Sequence, residues 1–368
     1  MSITDTLKKT SFDRNDIIRL LVSTDTQEIE LIRKEAEDVL LTQCGSEVFY
    51  RGLIEFSNVC TCDCLYCGIR KSNTGVKRYT LSGNEMVSAA VWCAEQGYGS
   101  VVLQSGERRD AHFVELVESV VKEIKSQTVS QVLPHGLGIT LCCGEQSSEV
   151  YKRWFSAGAH RYLLRIESSA PELFSTIHPP SQRLESRIEC LRSLKEIGFQ
   201  VGTGVMIGLP GQSVEHLADD ILFFRDLDVD MIGMGPYIVH SDTPMKSHLH
   251  YYNEKKEWVF QKSLLMIAAT RLVLRDVNIA ATTALQTMKH DGREQGLRFG
   301  ANVIMPQLTP QEVRENYLLY EGKPCLDESA EQCRFCLQNR VQSVDRVVGF
   351  NKWGDSKHWT RRNLRTEP

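Results

Sequence analysis

Eight short apolar runs alternate with amphipathic segments along this chain, and the alternation constrains its fold more than any other feature. The runs occupy residues 48–56, 100–103, 138–141, 161–164, 201–207, 231–234, 279–284 and 301–305. Residues 84–96, 110–125, 147–157, 186–197, 214–227 and 255–275 repeat their apolar positions at helical spacing. Strands separated by helices pair in parallel through right-handed crossovers. Eight such repeats predict an α/β fold, a complete (β/α)8 TIM barrel. An open doubly wound sheet is the competing topology, but no GxGxxG opens a helix after the first strand. Ahead of the barrel, Ile17, Leu20, Leu21, Ile32, Ala36 and Leu40 mark two helices between residues 13 and 41. The expected division is a helical extension over residues 1–46, the barrel over 47–310, and a C-terminal segment over 311–368 that carries cysteines. From residue 350 the tail is polar and basic (Lys352, Lys357, Arg361, Arg362, Arg365) and reads as a solvated terminus.

Charge gives little away. Lysines and arginines number 43 against 47 acids, a net charge of -4, so neither nucleic acid nor an anionic membrane is expected as the main partner. No stretch approaches the ~20 apolar residues that span a bilayer. The first ten residues are charged and lack the apolar core of a signal peptide, so a cytoplasmic location is expected. There the 12 cysteines do not suggest a disulfide framework, which leaves packing, metal ligation or redox chemistry to be separated by spacing.

Residues 60–67 read CTCDCLYC, placing Cys60, Cys64 and Cys67 at C-x3-C-x2-C with Cys62 between them, just after the first strand. Three thiolates on one loop can converge on an iron–sulfur cubane and leave its fourth iron open to a substrate or cofactor. A zinc knuckle at Cys64-x-x-Cys67 is the plainer alternative, but its mate Cys333-x-x-Cys336 lies most of the chain away, whereas zinc-ribbon knuckles sit some 12 to 20 residues apart. Near the end, PCLDESAEQCRFC sets Cys325, Cys333 and Cys336 in polar surroundings, a second candidate cluster site. Cys44, Cys93 and Cys190 fall in apolar periodic segments and read as packing. Of the neighbours Cys142 and Cys143, one at most can face inward. His248 and His250 lie in a polar stretch without a nearby carboxylate and read as a surface loop. No nucleophile elbow supports a hydrolase.

The first cysteine motif, with Tyr66 before its last cysteine, resembles that of the radical S-adenosylmethionine (SAM) enzymes. The resemblance implies a [4Fe-4S] cluster whose unique iron chelates SAM, and reductive cleavage of the sulfonium to a 5'-deoxyadenosyl radical. Ser105-Gly106-Glu107 ends the second strand where that family holds the amino group of SAM. Within the superfamily the chain resembles the HydE-type maturases of [FeFe]-hydrogenase. RGLIEFSN before Cys60, LQSGE, GITL, RYLLRIE, GLPGQ, ATTA, GANVIMP and YLLYEGKPC carry that likeness from residue 51 to 336.

This closer likeness implies roles position by position. Glu167 would bind the ribose hydroxyls of SAM and Arg187 its carboxylate, pairings that charge and geometry favour. Arg165, Thr140, Met231 and Tyr317 would line the cavity beside them, and Thr282 and Thr283 would add hydroxyls. Cys325, Cys333 and Cys336 would hold a second [2Fe-2S] or [4Fe-4S] cluster. The implied substrate is a small cysteine-bound iron carbonyl cyanide species from the maturase HydG, with product passed to HydF and electrons supplied by ferredoxin or flavodoxin. Where HydE-type sequences carry a histidine between the arginine and glutamate, this chain has Ile166; alternation along a strand places it on the outer face. A biotin synthase or methylornithine synthase shares the barrel and first motif but is disfavoured by the second. A non-catalytic iron–sulfur scaffold is the remaining alternative.

Overall fold

The computed structural model describes residues 2–364, so Met1 and the Arg365 charge of the tail lie outside the described residues. Eight parallel strands form the barrel: β1 (Glu47–Ser57), β2 (Ser100–Ser105), β3 (Gly138–Cys142), β4 (Arg161–Leu163), β5 (Gln200–Thr203), β6 (Met231–Ile232), β7 (Asn278–Ile279) and β8 (Val303–Ile304). Each pairs with the next in chain order, and β8 pairs with β1, Phe49 opposite Val303. A bridge between Ala280 and Val303 joins β7 to β8, with the Asn302 amide donating to Ile279 O and the Ala281 amide to Val303 O, both at 2.9 Å. The ring of eight is therefore closed.

Two apolar runs are shorter as strands than the sequence suggests. The run 201–207 breaks after Thr203, and Met206–Ile207 pairs with Gly235–Pro236 in a small separate sheet above the barrel. The run 279–284 ends as a strand at Ile279, and its threonines open the helix Thr283–Met288. Apolar content marks burial, and burial continues beyond the last ladder bond.

Around the ring, helices bury one stripe each against the outer face of the sheet. Ala111–Gln127 is typical: Phe113, Val114, Val117, Val120, Val121 and Ile124 recur every three or four residues, and Asp110 caps its start. The N-terminal extension has three helices, Ile3–Leu7, Arg14–Leu21 and Thr26–Gln43, one more than the periodicity indicates. They pack against the outer helices Val214–Asp226 and Leu249–Leu274; Arg14 forks onto Asp219 at 2.6 and 2.9 Å, and Lys262 donates to Leu21 O. The latter helix begins earlier than expected, so His250 lies in its first turn, exposed and 3.1 Å from Glu254, which corrects the loop expected there without a carboxylate.

The tail also differs from expectation. Instead of dissolving into solvent, residues 349–362 run across the amino-terminal mouth of the barrel. Gly354 O accepts from Arg51 (3.2 Å) and Asn278 (2.8 Å), and Arg161 reaches Trp353 O (2.8 Å) and Asp355 (3.0 Å). Trp353 stacks near His160 and donates to Gly136 O, Ser356 is buried, and Arg362 pairs with Asp228 and Asp230. Polarity misled because Gly354, Asp355 and Ser356 serve buried polar partners on the barrel floor, while Lys352, Lys357 and Arg361 stay exposed to water.

Candidate active site

At the opposite end, the carboxyl ends of the strands enclose a cavity of about 300 Å³. Cys60, Cys62, Cys64, Tyr66 and Cys67 enter it from the loop after β1, Ser105, Gly106 and Glu107 from β2, Cys142 from β3, Arg165 and Glu167 from β4. Arg187 lines it from the start of the helix Leu184–Ile197, and Tyr317 from the C-terminal segment. Thr282 and Thr283 are also in its wall. Thr140 and Met231 are not: they lie deeper on the barrel floor, Thr140 bonded by Arg161 Nε at 3.2 Å and Met231 Sδ by Arg51 at 2.9 Å. Cys142 faces the cavity while Cys143 is buried in the outer core, as alternation requires. Ile166 is likewise buried outward.

The cysteine loop is shaped to present sulfur. Cys60 Sγ accepts from the amides of Cys62 and Glu107, both at 3.4 Å, and with the Cys62 thiol as the main donor its pKa is held down to about 7. Burial pushes the Cys64 thiol up to about 12 and Cys67 well above its usual value. Cys64 Sγ donates to Gln182 Oε1 at 3.2 Å. Gly106 is what lets β2 close on this loop, since a Cβ there would stand 2.5 Å from Val59 O and 2.8 Å from Cys60 Cβ. Three ligands of one tetrahedral zinc would converge to roughly 3.8 Å of one another. Cys60, Cys64 and Cys67 do not: among the described residues, the ligand atoms that gather within 4.8 Å are those of Cys325, Glu328 and Cys333. The wider spacing of the first three suits a cubane, in which each sulfur meets a different iron.

Beside the loop lies a charged wall. Glu167 sits at φ +62°, a left-handed conformation rare for a non-glycine and held by bonds from its amide to Gly204 O and from the Met206 amide to its carbonyl. Its carboxylate meets Arg165 at 2.8 Å. Arg187 bonds Glu145 (3.0 Å) and Arg165 O (2.8 Å); burial opposes its charge, but Tyr66, Glu145 and Cys64 outweigh that and raise its pKa. Glu107 accepts from the Glu145 amide at 3.0 Å and pairs with Arg109 at 2.9 Å. A second, polar cleft adjoins through Cys62, Glu107 and Gln182 and opens to solvent past Arg109 and Arg183.

Several cavity groups carry no motif. Glu55, buried on β1, receives Lys323 at 2.5 and 2.7 Å and Gln307 at 2.7 Å, and both Glu55 and Lys323 line the wall. A charge inside the otherwise apolar LIEF run was the available signal for Glu55. Glu145 lies in the loop after β3, where barrel sites gather, and Gln182 between the helices Pro171–Ile177 and Leu184–Ile197, but nothing in their spacing links them to Arg187 or Cys64.

The second cysteine group lies outside the cavity, at the start of the helix Ala330–Gln342. The Cys325 thiol holds Cys333 down to about 6, while Cys336 Sγ accepts from Arg340 Nε at 3.4 Å. Arg293 connects the two regions: its Nη2 donates to Thr283 Oγ1 at 2.8 Å and its charge acts on Cys325 and Cys333.

Residues 54–224 match the family model of the Radical SAM superfamily. The chain is 41% identical over 356 residues to the [FeFe] hydrogenase maturase subunit HydE of Thermotoga maritima, covering 96% of this chain and 97% of that one. A biotin synthase of Aquifex aeolicus is 30% identical over 52% of this chain and 56% of its own length. Among solved structures, methylornithine synthase (PylB) superposes with a TM-score of 0.79 at 22% identity, covering 95% and 98% of the two chains. The maturase HydG of Carboxydothermus hydrogenoformans superposes at 0.75 and 18% identity, covering 93% of this chain and 78% of that one. These last two likenesses establish the barrel fold.

Proposed function

Because this chain belongs to the HydE family of [FeFe]-hydrogenase maturases, within the Radical SAM superfamily, we propose that it acts on a small cysteine-bound iron carbonyl cyanide species during assembly of the hydrogenase active-site cluster. Membership makes it a radical SAM enzyme, and the family brings a [4Fe-4S] cluster and SAM. Cys60, Cys64 and Cys67 would ligate the cluster. When bound, cluster and SAM supply reductive sulfonium cleavage and a 5'-deoxyadenosyl radical.

The protein's own groups bind and orient. Arg187, its charge upheld by Glu145, would fork the SAM carboxylate, and Glu167 would accept from the ribose hydroxyls. Ser105, Gly106 and Glu107 would take the amino group, and Tyr66 would pack beside the cluster loop. Arg165 and Tyr317 would border the substrate, with Thr140 and Met231 in a deeper layer. A closed barrel excludes water from a reactive centre. The substrate would come from HydG and the product pass to HydF, with ferredoxin or flavodoxin as reductant and the cytoplasm as the compartment. No helix among the described residues is long and apolar enough to cross a membrane. A second iron–sulfur centre would occupy Cys325, Cys333 and Cys336.

The observation that carries this function is the meeting, in one cavity, of the three loop cysteines with Arg187 and Glu167. The test is complementation: in a host whose own HydE-type gene is deleted, this chain should restore hydrogenase activity and its Cys64→Ala variant should not. No restoration by the intact chain, with HydF and HydG present, would overturn the maturase assignment.

A further inference from the structure

We propose that Glu328 is a metal ligand of the second centre, giving it a carboxylate oxygen beside the sulfurs of Cys325, Cys333 and Cys336. The proposal rests on the second centre placed above. Its first support is convergence: a Glu328 carboxylate oxygen and the Cys325 and Cys333 sulfurs lie within 4.8 Å of one another. Its second is an unmet need: Glu328 Oε2 is buried without a hydrogen-bond partner. A carboxylate oxygen withdrawn from water and left unbonded is costly, and a cation removes that cost.

The backbone holds this arrangement before any metal arrives. Arg314 Nη1 donates to Cys325 O at 3.0 Å and to Glu328 O at 2.6 Å, tying both ends of the short turn to one guanidinium. Cys325 itself sits at φ +64°, a conformation that a cysteine adopts only under constraint. Counting ligands leaves room for it, because three cysteines leave one coordination position of the centre without a protein sulfur. Arg293, with Nε and Nη1 buried and unpartnered, places positive charge against this anionic set.

The full chain carrying Cys60→Ala, Cys64→Ala and Cys67→Ala isolates the second site. Loaded anaerobically with ferric iron and sulfide, this parent should bind both and show iron–sulfur absorption. Adding Glu328→Gln should cut the iron content at least twofold; adding Glu328→Cys should restore it with shifted charge-transfer bands, as a thiolate replaces the carboxylate. Equal loading and identical spectra for parent, Gln and Cys variants would overturn the ligand assignment alone. A parent that takes up no iron would overturn the second centre and, with it, the place of Glu328.

Discussion

Gly106 has no functional group, yet the loop of Cys60, Cys64 and Cys67 depends on it. With Val59 O and Cys60 Cβ inside 3 Å of where its Cβ would be, Gly106→Ala must push the cysteine loop away from β2 and break the Glu107 amide bond to Cys60 Sγ. The variant should keep the barrel, read by circular dichroism, and lose iron uptake at the first site severalfold; unchanged loading would mean that the loop relaxes freely. At this scale the sequence was most legible where spacing is itself the signal. The C-x3-C-x2-C spacing of Cys60, Cys64 and Cys67 announces a shared ligand. Glu55 and Lys323 are 268 residues apart, and Glu145 meets Arg187 across 42, so no local pattern records either pair. Thr140 and Met231 show the converse: family likeness puts them beside the cofactor, whereas their bonds to Arg161 and Arg51 anchor them on the floor below.

Among the elements, the C-terminal strap departs furthest from what its composition suggests. His358 stands between Asp276 (3.0 Å) and Asp228 (2.6 Å), and the hydrogen bond to Asp276 leads in raising its pKa above the usual 6.5. A histidine whose folded value is raised stabilises fully below about pH 6.5 and loses that contribution as pH climbs through the folded value. His358→Gln should therefore cost ~2 kcal/mol near pH 6 and progressively less at alkaline pH, measured as the denaturation midpoint across pH. An equal loss at both extremes would assign the strap's contribution to packing. Sequence patterning could not see this element because its apolar stripe is minimal and its partners are charges on β1 and β4 and in the loops before β6 and β7. Ring helices such as Gly83–Glu95, Ala111–Gln127 and Val214–Asp226, each with a capping residue and a repeated apolar stripe, were legible within a few residues for the opposite reason.

For the molecule as a whole, alternation of short apolar runs with helical-period segments was enough to indicate a barrel, and the Ala280–Val303 bridge completes it. Function at this scale comes from a division of labour between the two ends of the barrel. The amino-terminal mouth is shut by the strap and its arginines, so the cavity opens at the carboxyl end, where the cysteine loop, Arg187 and Glu167 converge. The central claim is that this end performs reductive cleavage of SAM on a cluster held by Cys60, Cys64 and Cys67. Its most direct test is the anaerobically reconstituted full chain with dithionite and SAM, read by chromatography for 5'-deoxyadenosine. The account predicts 5'-deoxyadenosine and methionine in equal amounts, abolished by Cys64→Ala and undiminished by Cys333→Ala. Absence of 5'-deoxyadenosine from protein shown to carry a [4Fe-4S] cluster, or its persistence in Cys64→Ala, would contradict it.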